Sequence, residues 1–349
     1  MKKMIMKHYF FLLMLLSLVA AMPATAQTED PVKYLSAIYA PQQEMNKTYM
    51  AYVSAMAHSK RAKKIEKMRM QTLEGIEKCR YKTIDIPFYK GDNALRKSSL
   101  DYIQLCYKLF NDDYAHIVNM DEIAEQSFDE MQAYLLLQEK TEEKLQQASK
   151  NMSDAVDSFA AKYHVQLVEG QKDELSIKMA KAGEVNKYHN KVYLLFFKCN
   201  WQDGQLTNAF NKKKLTEIEQ SRNALSAFAN EGLAVLDTLK NLEGDPALAG
   251  ACKNALQFYK KSAEEATQLA DFLLKEEAFE KLQKSFEAKS AKDRTKEDVD
   301  AYNKAVGELN AAADKFNKTN TALNNGRNQV IQQWNETERS FVDAHMPHY

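Results

Sequence analysis

Asp113 and His116 stand three residues apart, the spacing at which one helix face presents two side chains to a single metal ion. A di-iron bundle would need two Glu-x-x-His motifs and two further carboxylates, and only this one Asp-x-x-His occurs. The pair therefore reads as a solvated histidine beside an acid. His345 and His348 could take a stray ion, but a loose C-terminal tail accounts for them as well. Cys79, Cys106, Cys199 and Cys252 could form two disulfides in an exported protein, or equally stand as four small buried residues with no bond. Pairing within each half, Cys79 with Cys106 and Cys199 with Cys252, is the simplest of three arrangements. No C-x-x-C is present, so thiol exchange has no support. A G-x-S-x-G elbow, an H-E-x-x-H helix, a glycine-rich phosphate loop, an EF-hand loop and a C-x-x-C-H haem site are all lacking from the sequence.

Three further stretches could bind without catalysing. Lys60–Arg69 carries six cations beside Met56, Met68 and Met70; anionic lipid is one reading, and a solvated helix face paired with Glu66 the commoner one. Ile84–Tyr89 (IDIPFY) is apolar, and Pro87 forbids a continuous helix through it. Ile86, Pro87, Phe88 and Tyr89 are the candidate docking residues, against the alternative of a loop folded over the end of a bundle. Trp201, beside Cys199 and Asn200, could anchor a ligand or partner, although a half-buried core tryptophan is the usual case.

These residues would be positioned by helices. Phe272, Phe279 and Phe286 recur every seven residues with Leu282 between them and charges around them. Val156, Ala160 and Tyr163 form a similar stripe, and acids open the run Asp121–Lys140, where they suit the positive end of a helix dipole. The halves align with each other. Phe128, Met131 and Leu135 match Phe279, Leu282 and Phe286 at an offset of 151. Val156, Ala160 and Tyr163 match Leu309, Ala313 and Phe316 at 153, as Gly91–Leu95 matches Gly244–Leu248. Leu73 and Ile76 match Leu225 and Phe228 at 152. Asn46–Met50 matches Asn190–Leu194 at 144, which implies about eight extra residues between Leu194 and Leu225. Asp92 and Asp245 would each cap a following helix, with Pro246 in its first turn. The counterpart of Ile84–Tyr89 is the more polar Leu236–Glu243. Asn324-Asn325-Gly326 marks a break before a short helix that ends near His345.

Residues 1–26 read as a secretory leader: Lys2, Lys3 and Lys7, an apolar run from Tyr9 to Met22, then Ala24-Thr25-Ala26. The apolar run is too short to span a bilayer stably, and no cysteine follows the cleavage point for a lipid anchor. Cleavage after Ala26 leaves 323 of the 349 residues and removes three lysines from a balance of 48 basic and 48 acidic side chains. The resulting charge of about −3 argues against a dedicated nucleic-acid binder, and the aromatic content argues against disorder. No proline occurs from Phe88 to Asp245, where a β-rich fold would need many turns.

The stretches Tyr81–Tyr102 and Asn119–Lys140 resemble an uncharacterised family of exported bacterial surface proteins, the LIC-type surface proteins. The resemblance implies an extracytoplasmic, mostly helical protein and brings no functional residues with it. Some members are lipid-anchored, and this chain lacks the cysteine for that.

The expectation is an all-α protein of two tandem antiparallel helical bundles, copies of each other by internal duplication: leader 1–26, copies 27–168 and 169–320, and a terminal helix and tail 321–349. It would be exported to the periplasm, the cell surface or the medium of a bacterium. It would act without catalysis, binding an envelope or extracellular protein or glycan, or serving structurally. A small-ligand or metal binder with a site within or between the bundles is the alternative, and a hydrolase without recognisable motif ranks last. No cofactor, metal, nucleic acid or transmembrane span in the mature chain is expected; homo-oligomerisation stays open.

Overall fold

A computed structural model of the chain describes residues 30–58, 61–113, 127–167 and 174–349. The leader, Lys60, His116 and the joint at 168–173 lie outside the described residues, as does the side chain of Asp113. Among the described residues the chain is all α. The helices are α1 Pro31–His58, α2 Ala62–Ile84, α3 Ala94–Lys108, α4 Phe128–Lys162, α5 Glu174–Asn211, α6 Leu215–Thr238, α7 Ala247–Glu287 and α8 Lys296–His345. A π turn, Leu109–Asp113, continues α3, and a 3-10 turn, Leu242–Gly244, precedes α7. None of the described helices is long and apolar enough to cross a membrane.

The described residues form two compact units, those up to 190 together with 342–349, and those of 191–341. The division thus falls inside α5, whereas the sequence pattern suggests a joint at 168/169. The last eight residues return to the first unit rather than forming a separate tail with 321–341.

In the first unit α1 packs on α2, α2 on α3, and α3 on α4. Short connections at 59–61 and 85–93 require each helix to run back along its predecessor. One core centre joins Tyr34, Leu35 and Ile38 of α1 to Tyr89, Leu95 and Met152, Val156 and Phe159 of α4. These α4 positions recur at helical spacing, which is why that face is buried. Ser127 caps α4 by accepting a hydrogen bond from the Glu130 amide at 3.1 Å.

In the second unit α6 packs on α7. The phenylalanine stripe of α7 meets α8: Phe272 lies 4.8 Å from Phe316 between ring centroids, and Phe286 stacks on Tyr302 at 4.5 Å. Trp334 of α8 is buried and stacks on Phe196 of α5 at 4.3 Å. Helix α8 continues through Asn324-Asn325-Gly326 without the expected break and ends at His345. A Cβ on Gly326 would lie 2.6 Å from the Phe258 ring, so the glycine admits a neighbouring ring instead of ending the helix.

The two turns before α3 and α7 share one backbone signature. Lys90 and Gly91 have φ of 49° and 81°, and Glu243 and Gly244 have φ of 51° and 81°. The next residue is an aspartate in both, and its Oδ1 accepts the amide two residues on: Ala94 to Asp92 at 2.9 Å, Ala247 to Asp245 at 2.8 Å. With α5 ten residues longer than α1, this correspondence is compatible with an internal duplication. Gly91→Ala and Gly244→Ala place a side chain in the left-handed region, where nothing compensates. Each is expected to lower its unit's stability by about 1–2 kcal/mol, measured by urea unfolding. An unchanged midpoint would show that these turns relax freely.

Candidate functional site

The loop between α2 and α3 is built around Arg96. Its Nη1 donates to the carbonyls of Ile84 at 3.0 Å and Ile86 at 2.7 Å, and its guanidinium lies 4.3 Å from the Phe88 ring centroid. One cation therefore satisfies the frayed carbonyls at the α2 end and holds the aromatic ring beside them. The other side is closed by Tyr89 and Asp92, which exchange backbone hydrogen bonds at 3.1 and 2.8 Å. Asp92 Oδ2 accepts from Lys162 at 2.6 Å and from the Tyr163 hydroxyl at 3.0 Å. The Lys162 ammonium, then the Ala94 amide, hold the Asp92 carboxyl below the usual carboxylate range.

This scaffold sorts the candidate docking residues into two sets. Phe88, Ile84 and Tyr81 are 48%, 41% and 56% exposed, and Pro87 is exposed with them. Tyr89 points inward at 2% exposure, against Tyr34, Phe159 and Tyr163, and Ile86 is half-buried against the same core. Tyr89 and Ile86 are thus core residues rather than surface contacts, because a local turn alternates its side chains between core and solvent. Tyr81, which the sequence pattern did not single out, joins the exposed set; it stands three residues before Ile84 on the same helix face. Residues 78–97 carry six basic and two acidic side chains, so the apolar group sits in a cationic frame. The counterpart Leu236–Glu243 presents no exposed large apolar side chain: Leu236 is buried, and Leu239 and Leu242 are half-buried.

Trp201 lies half-buried on α5 in the second unit, so the site residues divide between the units. The fully buried tryptophan is Trp334, which shares a helical stripe with Leu323, Glu338 and Phe341. That spacing was the signal that could have found it.

A second polar cluster gathers where α1 ends. His58 Nδ1 lies 2.8 Å from Asp343 Oδ1, and its Nε2 lies 3.1 Å from the Met346 carbonyl oxygen. The His348 ring stacks on it at 3.7 Å. The C-terminal residues are not loose: Met346 is buried, and the Tyr349 amide donates to Ser54 Oγ at 3.0 Å. A pocket of about 550 Å³ opens beside the cluster, lined among others by His58, Arg61, Lys64, Met68, His348 and Tyr349. The cationic run feeding this pocket is otherwise a solvated face, with Arg69 paired to Glu66 at 2.7 Å.

The four cysteines are free and buried. Burial pushes the thiols of Cys79, Cys106 and Cys199 up to about 12, and raises Cys252 as well. Such thiols are protonated and poorly nucleophilic at neutral pH, which suits packing rather than covalent chemistry. Comparison with protein-family models, with curated proteins and with solved structures finds no match for this chain.

Proposed function

We propose that this protein is an exported, non-enzymatic helical module of the bacterial envelope or surface that docks another protein through the loop between α2 and α3. The observation that carries the reading is the exposed trio of Tyr81 and Ile84 at the end of α2 and Phe88 on the following loop, which Arg96 and Asp92 fix. A preformed apolar knob loses little conformational entropy on binding. Its cationic frame favours a partner with an apolar hollow and an acidic rim. Export rests on the leader pattern of residues 1–26. The halves are taken as copies, and the loop, polar in one and apolar in the other, is where they diverged.

The test is crosslinking in cells of the native host, followed by mass spectrometry. Links from peptides containing Tyr81–Tyr89 to one envelope or extracellular protein are expected, and a Tyr81→Ser/Phe88→Ser variant should lose them while melting as the native chain does. Links confined to other surfaces, or retained by the variant, would exclude this loop. Links to copies of the same chain alone would replace the reading with self-assembly.

A further inference from the structure

Both ring nitrogens of His58 face oxygen atoms. The Met346 carbonyl can only accept, so the tautomer with its proton on Nε2 donates to it. That leaves Nδ1, 2.8 Å from the Asp343 carboxylate. In a neutral imidazole this nitrogen would turn a lone pair toward an anion, which is repulsive. A metal ion seated between them would turn that repulsion into coordination. The carbonyl contact is the arrangement that orients metal-ligating histidines, since it fixes the tautomer and leaves the other nitrogen free to coordinate.

A third ligand is at hand. One donor atom from each of His58, Asp343 and His348 lies within 4.8 Å of the others. The His348 ring now stacks on that of His58 at 3.7 Å, so to aim its in-plane lone pair at the same ion it must turn out of the stack, which its exposure allows. Two imidazoles and one carboxylate suit a borderline ion such as Zn²⁺ and not Ca²⁺ or Mg²⁺, which prefer oxygen alone. Bond lengths of about 2.0–2.2 Å around a tetrahedral ion separate its ligand atoms by about 3.3 Å. The His58–Asp343 contact must therefore open by about half an ångström, on the side where Asp343 is 65% exposed. The fourth position would face the adjoining pocket, where Arg61 and Lys64 favour water, hydroxide or another small anion.

We propose that His58, Asp343 and His348 form a binding site for one divalent transition-metal ion of the zinc type, with a fourth position open to the pocket. The ion would tie the C-terminal residues to the end of α1. This proposal is independent of partner docking through the α2–α3 loop.

The experiment is calorimetric titration of the mature chain, purified without a polyhistidine tag and stripped with chelator, with Zn²⁺ alone. One ion per chain is expected. His348→Ala and Asp343→Asn each change a solvent-facing side chain and should weaken binding more than about 10-fold, the lower end of what loss of an outer-shell partner alone produces. His345→Ala, on the same terminal segment, should leave it unchanged. Cu²⁺ bound to the native chain should show electron-spin coupling to two imidazole nitrogens, falling to one in His348→Ala. Absence of stoichiometric binding overturns the proposal. So does retention of affinity in His348→Ala and Asp343→Asn, or an equal loss in His345→Ala, which would mark adventitious histidine binding only.

Discussion

Asp203→Ala is expected to destabilise the second unit by about 3–5 kcal/mol, the cost of breaking a buried ion pair from one side. The Asp203 side chain is 2% exposed and pairs with Arg327, itself 20% exposed. Arg327 Nη2 also reaches Asp203 Oδ1 at 3.3 Å, Ser262 Oγ donates to that oxygen at 2.8 Å, and Asn324 Oδ1 accepts from Arg327 Nη1 at 2.7 Å. Each polar group in the cluster has a partner, so removing the carboxylate leaves a guanidinium and a buried hydroxyl facing a void. Replacing both members, Asp203→Leu with Arg327→Met, should recover most of the loss, because no charge is then stranded. Chemical unfolding of the single and double variants measures both values. If the single variant costs under about 1 kcal/mol, water reaches the cluster and the pair contributes little.

The helical class was legible because it rests on local signals. The proline-free run and the seven-residue phenylalanine stripe need only one helix to be read, and Phe272, Phe279 and Phe286 do meet rings of α8. The turn at Gly91-Asp92 was legible for the same reason. What misled was packing between helices. Asn324-Asn325-Gly326 carries the chemistry of a break, yet Asn324 holds Arg327 and Gly326 admits Phe258, so burial outweighs local preference. Helix α1 runs through Pro41, although proline costs about 3 kcal/mol relative to alanine inside an isolated helix. Pro41 is itself buried, as are Leu35, Ile38 and Met45 along the same helix, so burial offsets the local cost. The cluster joins His58 to Asp343 and His348, 285 or more positions further along the chain, and no spacing rule reaches that far. A histidine ending one helix and an aspartate near the end of another become neighbours only through the fold.

Neighbouring residues of the α2–α3 loop should separate folding from docking. Tyr89→Ala is expected to cost the first unit about 3–5 kcal/mol, as large aromatic truncations in cores do. Its ring meets Tyr34 and Phe159 at 5.1 Å and Tyr163 at 4.6 Å, and it belongs to the cluster that joins α1 to α4. Phe88→Ser removes a half-exposed ring whose cation contact with Arg96 is worth about 0.5–1 kcal/mol. Its cost should stay below about 1 kcal/mol, while Arg96 keeps its two carbonyl bonds and the loop its shape. Thermal and urea unfolding of the two variants decide this, and a comparable loss from both would mean that Phe88 belongs to the core as well. The distinction governs any binding experiment. A variant that changes both residues would lose capture of a partner simply by loosening the first unit, whereas Phe88→Ser removes part of the knob and leaves its scaffold standing. Within one dipeptide, therefore, the aromatic ring facing inward fixes the loop and the ring facing outward is free to make contacts.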